Sequence, residues 1–481
     1  MIGGTAPQVC WYGDDFTGAT DTLAEVARAG LRSLLFLGVP SSSQLERAGP
    51  LDAIGIAGAA RGMAPAEMAE ELRAVGAFMA STGARVLHYK CCSTFDSAPH
   101  IGSIGVAVRE LRRHFANPIV PIVGGQPSIG RYCSFGNLFA RAGSAPEIYR
   151  IDRHPVMSVH PVTPMHEADL RRHLEAQGLE GVRSVPHVAY PSGLGVGLGS
   201  ETGSETDANS ATSSVGSSVA GSVANSDAGS ASSSTALDAW IDEVIESTSG
   251  PLLLDLVDES QLAVIGRLIQ RAASRAPLLA VGPSSVQQAL GRARSAAHSP
   301  AAPATPLGPA NGPVLVVAGS LSPVTARQIA ACESYTRQPL QVERLLSDAD
   351  YAAQQVALAT VTLAGGRNVL VHTDKPTGTV NADQTAATAR GTAKLAADIV
   401  RASAKAGHRL NRIGIAGGDT SSQATLALGL WGLAFRCVLA PGVTVSVSHS
   451  DDPVTDGVEL MLKGGQMGGD RLFDTLAAGN G

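Results

Sequence analysis

Aromatic side chains are scarce in this chain, with Phe, Trp and Tyr supplying 4% of its 481 residues. That length implies two or three domains. With 44% hydrophobic residues, their cores must be built from Ala, Val, Leu and Ile. Such cores suit parallel sheets covered by helices on both faces. Lysine is rarer still, five residues against 31 arginines, and the net charge is −6. No Lys/Arg block stands out. Nucleic acid requires a basic stripe, so no nucleic-acid partner is expected. A small anion needs only a few focused cations and stays open.

Other absences narrow the field. No GxxxxGK[ST] occurs, which excludes a P-loop enzyme. No GxGxxG with a downstream acid opens a βαβ unit, which removes the main support for a dinucleotide dehydrogenase. No HExxH and no His/Cys cluster suggests zinc, and no metal ligand is assigned. The six cysteines include no CxxC pair, and Cys91–Cys92 reads as buried packing. No apolar run reaches membrane-spanning length. The start of the sequence has no charged segment followed by an apolar one. The expectation is a cytoplasmic protein with reduced thiols and no membrane partner.

Two stretches break the pattern. Residues 193–235 are Ser-, Gly- and Ala-rich and lack bulky apolar residues that could offset ordering entropy. They read as a disordered surface insertion. Residues 294–313, rich in Pro and Ala, read as an interdomain linker. The domains expected are therefore 1–293 and 314–481. In the first, strands are predicted at Val9–Tyr12, Leu34–Leu37, Ile54–Ala57, Val86–Tyr89 and Leu252–Val257. A helix is predicted at Asp21–Ala29 and another from Ala64. In the second, strands fall at Val314–Ala318, Val369–Val371 and Ile413–Ala416, with helices near Thr325–Cys332 and Thr385–Ala406. The fold class is α/β: two domains with mainly parallel sheets and a site in the cleft between them, at the C-terminal ends of strands.

The polar motifs sit at those strand ends. Gly13-Asp14-Asp15-Phe16-Thr17-Gly18 follows the first strand. Carboxylates accept hydrogen bonds from sugar hydroxyls, and one of them can take a hydroxyl proton in phosphoryl transfer. Capping the next helix explains one acid but not both. Asp15 is favoured over Asp14 as the catalytic acid because it lies nearer the helix start. A helix N-terminus would, however, lower its pKa and weaken it as a base. Lys90-Cys91-Cys92-Ser93-Thr94-Phe95-Asp96-Ser97 mixes a rare lysine with hydroxyls and an acid; Lys suits a point-charge contact to carboxylate or phosphate. Arg131 can hold a carboxylate bidentately. In the second domain three glycine turns precede helices: Gly319-Ser320, Gly417-Gly418-Asp419-Thr420, and Lys463-Gly464-Gly465. Backbone N–H groups in such turns can cradle phosphate.

Taken in order, DDFTGATD, KCCSTFDS, HPVTPM, GSLSPVT, AGGDTSS, PGV and KGGQMGGD make the chain resemble the four-carbon acid sugar kinases over nearly its whole length. The resemblance implies an N-terminal domain for the sugar acid, a C-terminal domain for ATP, and transfer of phosphate to a terminal hydroxyl. It places Asp14, Asp15, Thr17, Lys90, Ser93, Asp96 and Arg131 on the substrate side. Ser320, Gly417, Gly418, Asp419, Thr420 and Gly465 fall on the ATP side. KCCSTFDS is closer to the 3-oxo-tetronate kinases than to threonate or erythronate members. A branch acting on branched 3-oxo-isoapionate supplies a rival substrate. Two departures bear on the pocket: Ala98–Gly105 replaces a glycine-asparagine stretch, and GGQMGGD replaces a GNFG-like turn.

The working expectation is ATP with Mg²⁺ on the three glycine turns, Lys463 neutralising phosphoryl charge, and the substrate carboxylate on Lys90 or Arg131. The partner is a small-molecule sugar acid; a homodimer is left open. Two other readings compete: a sugar-acid sensor that does not turn over ATP, and a lyase or isomerase using Lys90 as a Schiff base.

Overall fold

The computed structural model describes residues 6–143, 146–160, 162–191, 227–295, 306–374 and 382–480. The first half of the chain carries β1 (Val9–Gly13), β2 (Ser33–Phe36), β3 (Ala53–Ala57), β4 (Val86–Lys90), β5 (Ile119–Gln126), β6 (Arg131–Ser134), β7 (Asn137–Arg141), β8 (Ile148–Arg150), β9 (Arg183–Val185), β10 (Gly250–Asp255) and β11 (Leu278–Gly282). Eight of them form a parallel sheet in the order β2–β3–β1–β4–β11–β5–β10–β9. Strands β6, β7 and β8 continue the end of β5 as an antiparallel extension. Every residue of β1, β4, β5, β10 and β11 is buried, as a parallel sheet with both faces covered requires.

The second half carries β12 (Leu315–Ala318), β13 (Tyr335–Leu340), β14 (Asn368–Thr373), β15 (Arg412–Ala416), β16 (Leu430–Ala440), β17 (Val443–Ser450) and β18 (Glu459–Lys463). The order β13–β14–β12–β15–β18 is parallel; β17 and β16 add to it antiparallel. The sheet does not end there. Strand β16 pairs with β2, Gly432 opposite Phe36 and Leu433 opposite Leu35, so the two expected sheets are fused into one. Phe36 stacks on Trp431 at 5.9 Å between ring centres, and the Arg47 guanidinium lies 5.0 Å over the same indole. Leu35 and Leu433 share one hydrophobic cluster that runs through both halves.

Two sequence expectations shift. The first helix spans Phe16–Arg28 rather than starting at Asp21, because Asp15 caps it and accepts from the Gly18 N–H. It stops at Gly30, which takes a positive φ of 79°. The helix Asp227–Glu246 begins inside the stretch read as an insertion. Its later turns bury Leu237, Ile241 and Ile245, and once these nucleate a helix, extending it through Ala and Ser costs little. Residues 192–226 of that stretch, and 296–305 of the linker, lie outside the described residues.

Candidate active site

Each half of the sheet has a switch point, where the chain leaves neighbouring strands in opposite directions and opens a crevice at their C-terminal ends. In the first half it falls between β1 and β4, since β1 pairs with β3 on one side and β4 on the other. Asp14 follows β1, Lys90 ends β4, and the Asp14 N–H donates to the Lys90 carbonyl at 3.0 Å. In the second half it falls between β12 and β15. Gly319-Ser320 follows β12 and Gly417 follows β15.

The two acids differ in setting. Asp14 is 3% exposed and lies against Arg61, whose Nη2 and Nε are 3.0 and 3.4 Å from its two oxygens. Burial pushes the Asp14 carboxyl above its ordinary value, and the pull of Arg61 does not overcome it. The Asp15 side chain is 28% exposed. Its Oδ1 accepts from the Gly18 N–H at 2.7 Å and lies 3.8 Å from Lys90 Nζ. Its Oδ2 is 2.8 Å from Arg61 Nη1. Burial pushes this carboxyl up, but Arg61, Lys90 and the Gly18 N–H outweigh it and hold it below the usual range. One guanidinium thus bridges both acids. Gly18 has a spatial reason: a Cβ there would lie 1.9 Å from Lys90 Nζ.

The loop after β4 turns sharply at Phe95, a buried residue with φ of 53°, in a region costly for a bulky side chain. The strain is held by bonds behind it: the Phe95 carbonyl pairs with His173 at 3.0 Å, and Ser97 with His173 and Gln177. Thr94 Oγ1 donates to Asp96 at 2.6 Å, and Cys92 Sγ is 3.0 Å from the same hydroxyl. Ser93 is part-exposed beside them. Arg131 Nη1 donates to the carbonyls of Ile129, Gly130 and Arg141. Its Nε is buried without a hydrogen-bond partner, and Cys92 is among the groups acting on its charge.

In the second half the three glycine turns touch. A Cβ on Gly319 would lie 2.4 Å from Thr420 Oγ1, one on Gly465 2.5 Å from Ser320 Oγ, and one on Gly417 3.3 Å from the Ser320 nitrogen. Gly417, with φ of 127°, opens the helix Gly418–Ala427 with no side-chain cap, leaving its first N–H groups for an anion. Asp419 is exposed in that first turn. Lys463 is 1% exposed. It donates to Thr325 Oγ1 at 3.0 Å and the Gly465 carbonyl at 3.4 Å, and burial pushes its ammonium down to about 8.

The two clusters meet at Thr17. A Cβ on Gly418 would lie 3.9 Å from Thr17 Oγ1, and one on Gly464 3.9 Å from Thr17 Cγ2. The start of helix Phe16–Arg28, with its acids and Lys90, therefore faces the uncapped start of helix Gly418–Ala427.

Comparison with known proteins fits this division. A sequence model described as a sugar-binding N-terminal domain matches residues 9–290, and one described as a nucleotide-binding C-terminal domain matches 315–473. The 3-oxo-isoapionate kinase of Paraburkholderia graminis is 36% identical over 98% of this chain and 94% of its own length. The 3-oxo-tetronate kinase of Methylobacterium radiotolerans is 30% identical over 96% of each. The chain belongs to the four-carbon acid sugar kinase family. Two solved structures share the fold of this family member. A Salmonella typhimurium LT2 protein has a TM-score of 0.73 at 21% identity, and a Haemophilus influenzae protein 0.68 at 22%, each over 97% of this chain and 98% of the other.

Within this sugar-acid kinase fold, Asp14, Asp15, Thr17 and Lys90 gather at the β1/β4 crevice, Ser93 and Asp96 lie on the loop after β4, Arg131 opens β6 at the end of β5, and Ser320, Gly417, Gly418, Asp419, Thr420, Lys463 and Gly465 lie on the three glycine turns. The sequence reading passed over Arg61. It follows β3 in a short Ala/Gly-rich turn, and among 31 arginines nothing marked it except its place at a strand end. His160, in contrast, accepts from the Thr163 N–H within its own turn, a structural use. Among the described residues no group of three or more His, Cys, Asp or Glu forms a metal cage, and no helix is long and apolar enough to cross a membrane.

Proposed function

We propose that this chain transfers phosphate from ATP to the terminal hydroxyl of a 3-oxo sugar acid, a 3-oxo-tetronate-like four-carbon acid being the leading substrate. The observation that carries the reading is the approach of Thr17 to Gly418 and Gly464, which brings the acid-bearing helix start within one side chain of the glycine turns. A second substrate, 3-oxo-isoapionate, is favoured by the 36% identity to the kinase named for it, against 30% for the 3-oxo-tetronate kinase.

In this reading Asp15, the more exposed acid, orients the attacking hydroxyl and receives its proton as the oxygen bonds to phosphorus and ADP leaves. Its depressed pKa makes it a weak base, which suffices where positioning and electrostatics supply most of the catalysis. Asp14 holds Arg61, and Arg61 holds Asp15 in place. Arg131 is the better candidate for the substrate carboxylate, because Lys90 already faces Asp15 while Arg131 makes no ion pair among the described residues. Ser93 and Asp96 line the same loop for the hydroxyls. Ser320, Gly417, Gly418, Thr420 and Gly465 offer backbone and hydroxyl donors to the phosphates, with Lys463 beneath. ATP fits these turns because Gly319, Gly417 and Gly465 pack too closely for side chains, while Gly418 and Gly464 leave open space in front of them. Mg²⁺ needs only one or two protein carboxylates when phosphates supply the rest, and Asp419 stands at the right end of its helix. We place the domains at 1–293 and 314–481, joined through 294–313, and the protein in the cytoplasm, a setting its six free cysteines suit.

The test is a coupled ADP-release screen over 3-oxo-tetronate, 3-oxo-isoapionate, threonate and erythronate. Turnover with a 3-oxo acid supports the reading. Binding without ADP release from any acid would favour a sensor, and borohydride trapping of an acid on Lys90 a lyase.

A further inference from the structure

Gln328 lies outside every motif discussed so far. It sits on the helix Pro323–Ala331 and is fully buried. Its Nε2 donates to three successive carbonyls of the C-terminal glycine turn, Met467 at 3.0 Å and Gly468 and Gly469 at 3.1 Å each. Its Oε1 is buried with no partner. Only an N–H₂ can face three carbonyls, so the orientation of the amide is settled by chemistry. An apolar residue would fill the space without leaving an orphaned oxygen, yet the position holds an amide. The backbone is bent to meet it: Gly468 has φ of 84°, and a Cβ there would lie 2.7 Å from Leu472 and 3.3 Å from Gln328 Nε2.

The carbonyl just upstream is drawn inward too. Gly465 O accepts from Ser322 Oγ at 2.6 Å, Thr325 Oγ1 at 3.1 Å and Lys463 Nζ at 3.4 Å. In a planar trans peptide the C=O and N–H point in opposite directions. Carbonyls held toward the helix Pro323–Ala331 therefore put the N–H groups of Gln466, Gly468, Gly469 and Asp470 on the other side.

We propose that Gln328 is a positioning residue for nucleotide binding: by clamping three carbonyls of the 464–470 turn inward, it presents the N–H groups of that turn to the nucleotide phosphates. The inference rests on the reading of this turn as part of the ATP site, and the experiment separates the two. Affinity for a non-hydrolysable ATP analogue is measured by calorimetry on the full-length protein, which needs no knowledge of the sugar acid. Gln328→Met keeps the volume and removes the donor. It is expected to weaken the analogue about tenfold, the equivalent of one hydrogen bond, while Arg131-side binding of the acid found in the screen stays within about twofold. Gly465→Ala, whose methyl meets Ser320 Oγ, tests the turn itself and is expected to weaken the analogue as well. If Gly465→Ala weakens binding and Gln328→Met does not, the role given to Gln328 is wrong. If neither matters, the turn is not at the nucleotide site and both ideas fall. Should Gln328→Met fail to fold, Gln328→Glu replaces it. Its buried acid can donate only when protonated, so its analogue affinity, relative to the parent protein, should fall as pH rises; a parallel pH profile overturns the proposal.

Discussion

Arg61→Met tests the electrostatic core of the site most directly. The substitution keeps much of the side-chain volume and removes the guanidinium that bridges Asp14 and Asp15. Asp14 is 3% exposed and would be left as a buried carboxylate without its partner. Breaking one side of a buried pair costs about 3–5 kcal/mol. The lower end is expected here, about 3 kcal/mol, because Lys90 still acts on both acids. The cost should depend on pH with a definite sign. Asp14 already has a raised folded pKa, so the stability it contributes is full below its unfolded value and lost as pH rises through the folded one. Without Arg61 that value rises further. Asp15 has a lowered folded pKa and contributes above its unfolded value; without Arg61 that contribution shrinks. The Asp14 effect makes the deficit larger near pH 8 and smaller near pH 5, whereas the loss at Asp15 is already complete above its unfolded value and adds equally at both. Urea unfolding followed by tryptophan fluorescence reads it, since Trp11 is buried in β1 with its indole N–H on Ala19. A variant within about 1 kcal/mol of the parent at both pH values would mean that the bridge is energetically idle, and the assignment of roles to the two acids would lose its basis.

Three further outcomes are expected. Asp15→Asn should lose about 10²–10⁴-fold in kcat at saturating ATP, whereas Asp14→Asn should act mainly through stability; near-parental kcat in both would move the chemistry elsewhere. Gly418→Val should fold, since the nearest atom to a Cβ there is Thr17 Oγ1 at 3.9 Å, yet it should raise the KM for ATP by blocking the approach between the two helix starts; unchanged nucleotide affinity would remove that turn from the site. Lys463, with its ammonium pushed down to about 8, should gain a proton when phosphate binds, so the KM for ATP should climb above that pH, and Lys463→Met should be weaker throughout with that climb abolished.

Much of this arrangement was legible from residue order. Buried strands such as Val9–Gly13 and Leu315–Ala318 are short apolar runs, and the polar residues following them could be read as strand-end motifs. The helix start at Phe16 escapes the apolar periodicity because its first turn is Thr/Gly-rich; Asp15, weighed as a cap but favoured for chemistry, turns out to cap that helix as well. The hairpin of β16 and β17 was missed although β17 alternates buried and part-exposed residues on either side of a break at Val445–Ser446, a period-two pattern that a search for buried parallel strands passes over.

The sequence by itself determined the α/β class, the two halves and the residue types at each strand end, because these depend on local patterns of burial and turn chemistry. Only the tertiary structure decided how the halves join and which groups meet. The pairing of β2 with β16 links residues some four hundred positions apart, and no local propensity encodes it. Arg61 becomes the bridge of the acid pair because β3 lies beside β1, and Gln328 becomes a clamp because its helix packs against a turn about 140 residues later in the chain. Long-range neighbours set the charge state and orientation of a side chain, and those neighbours exist only once the sheet has formed.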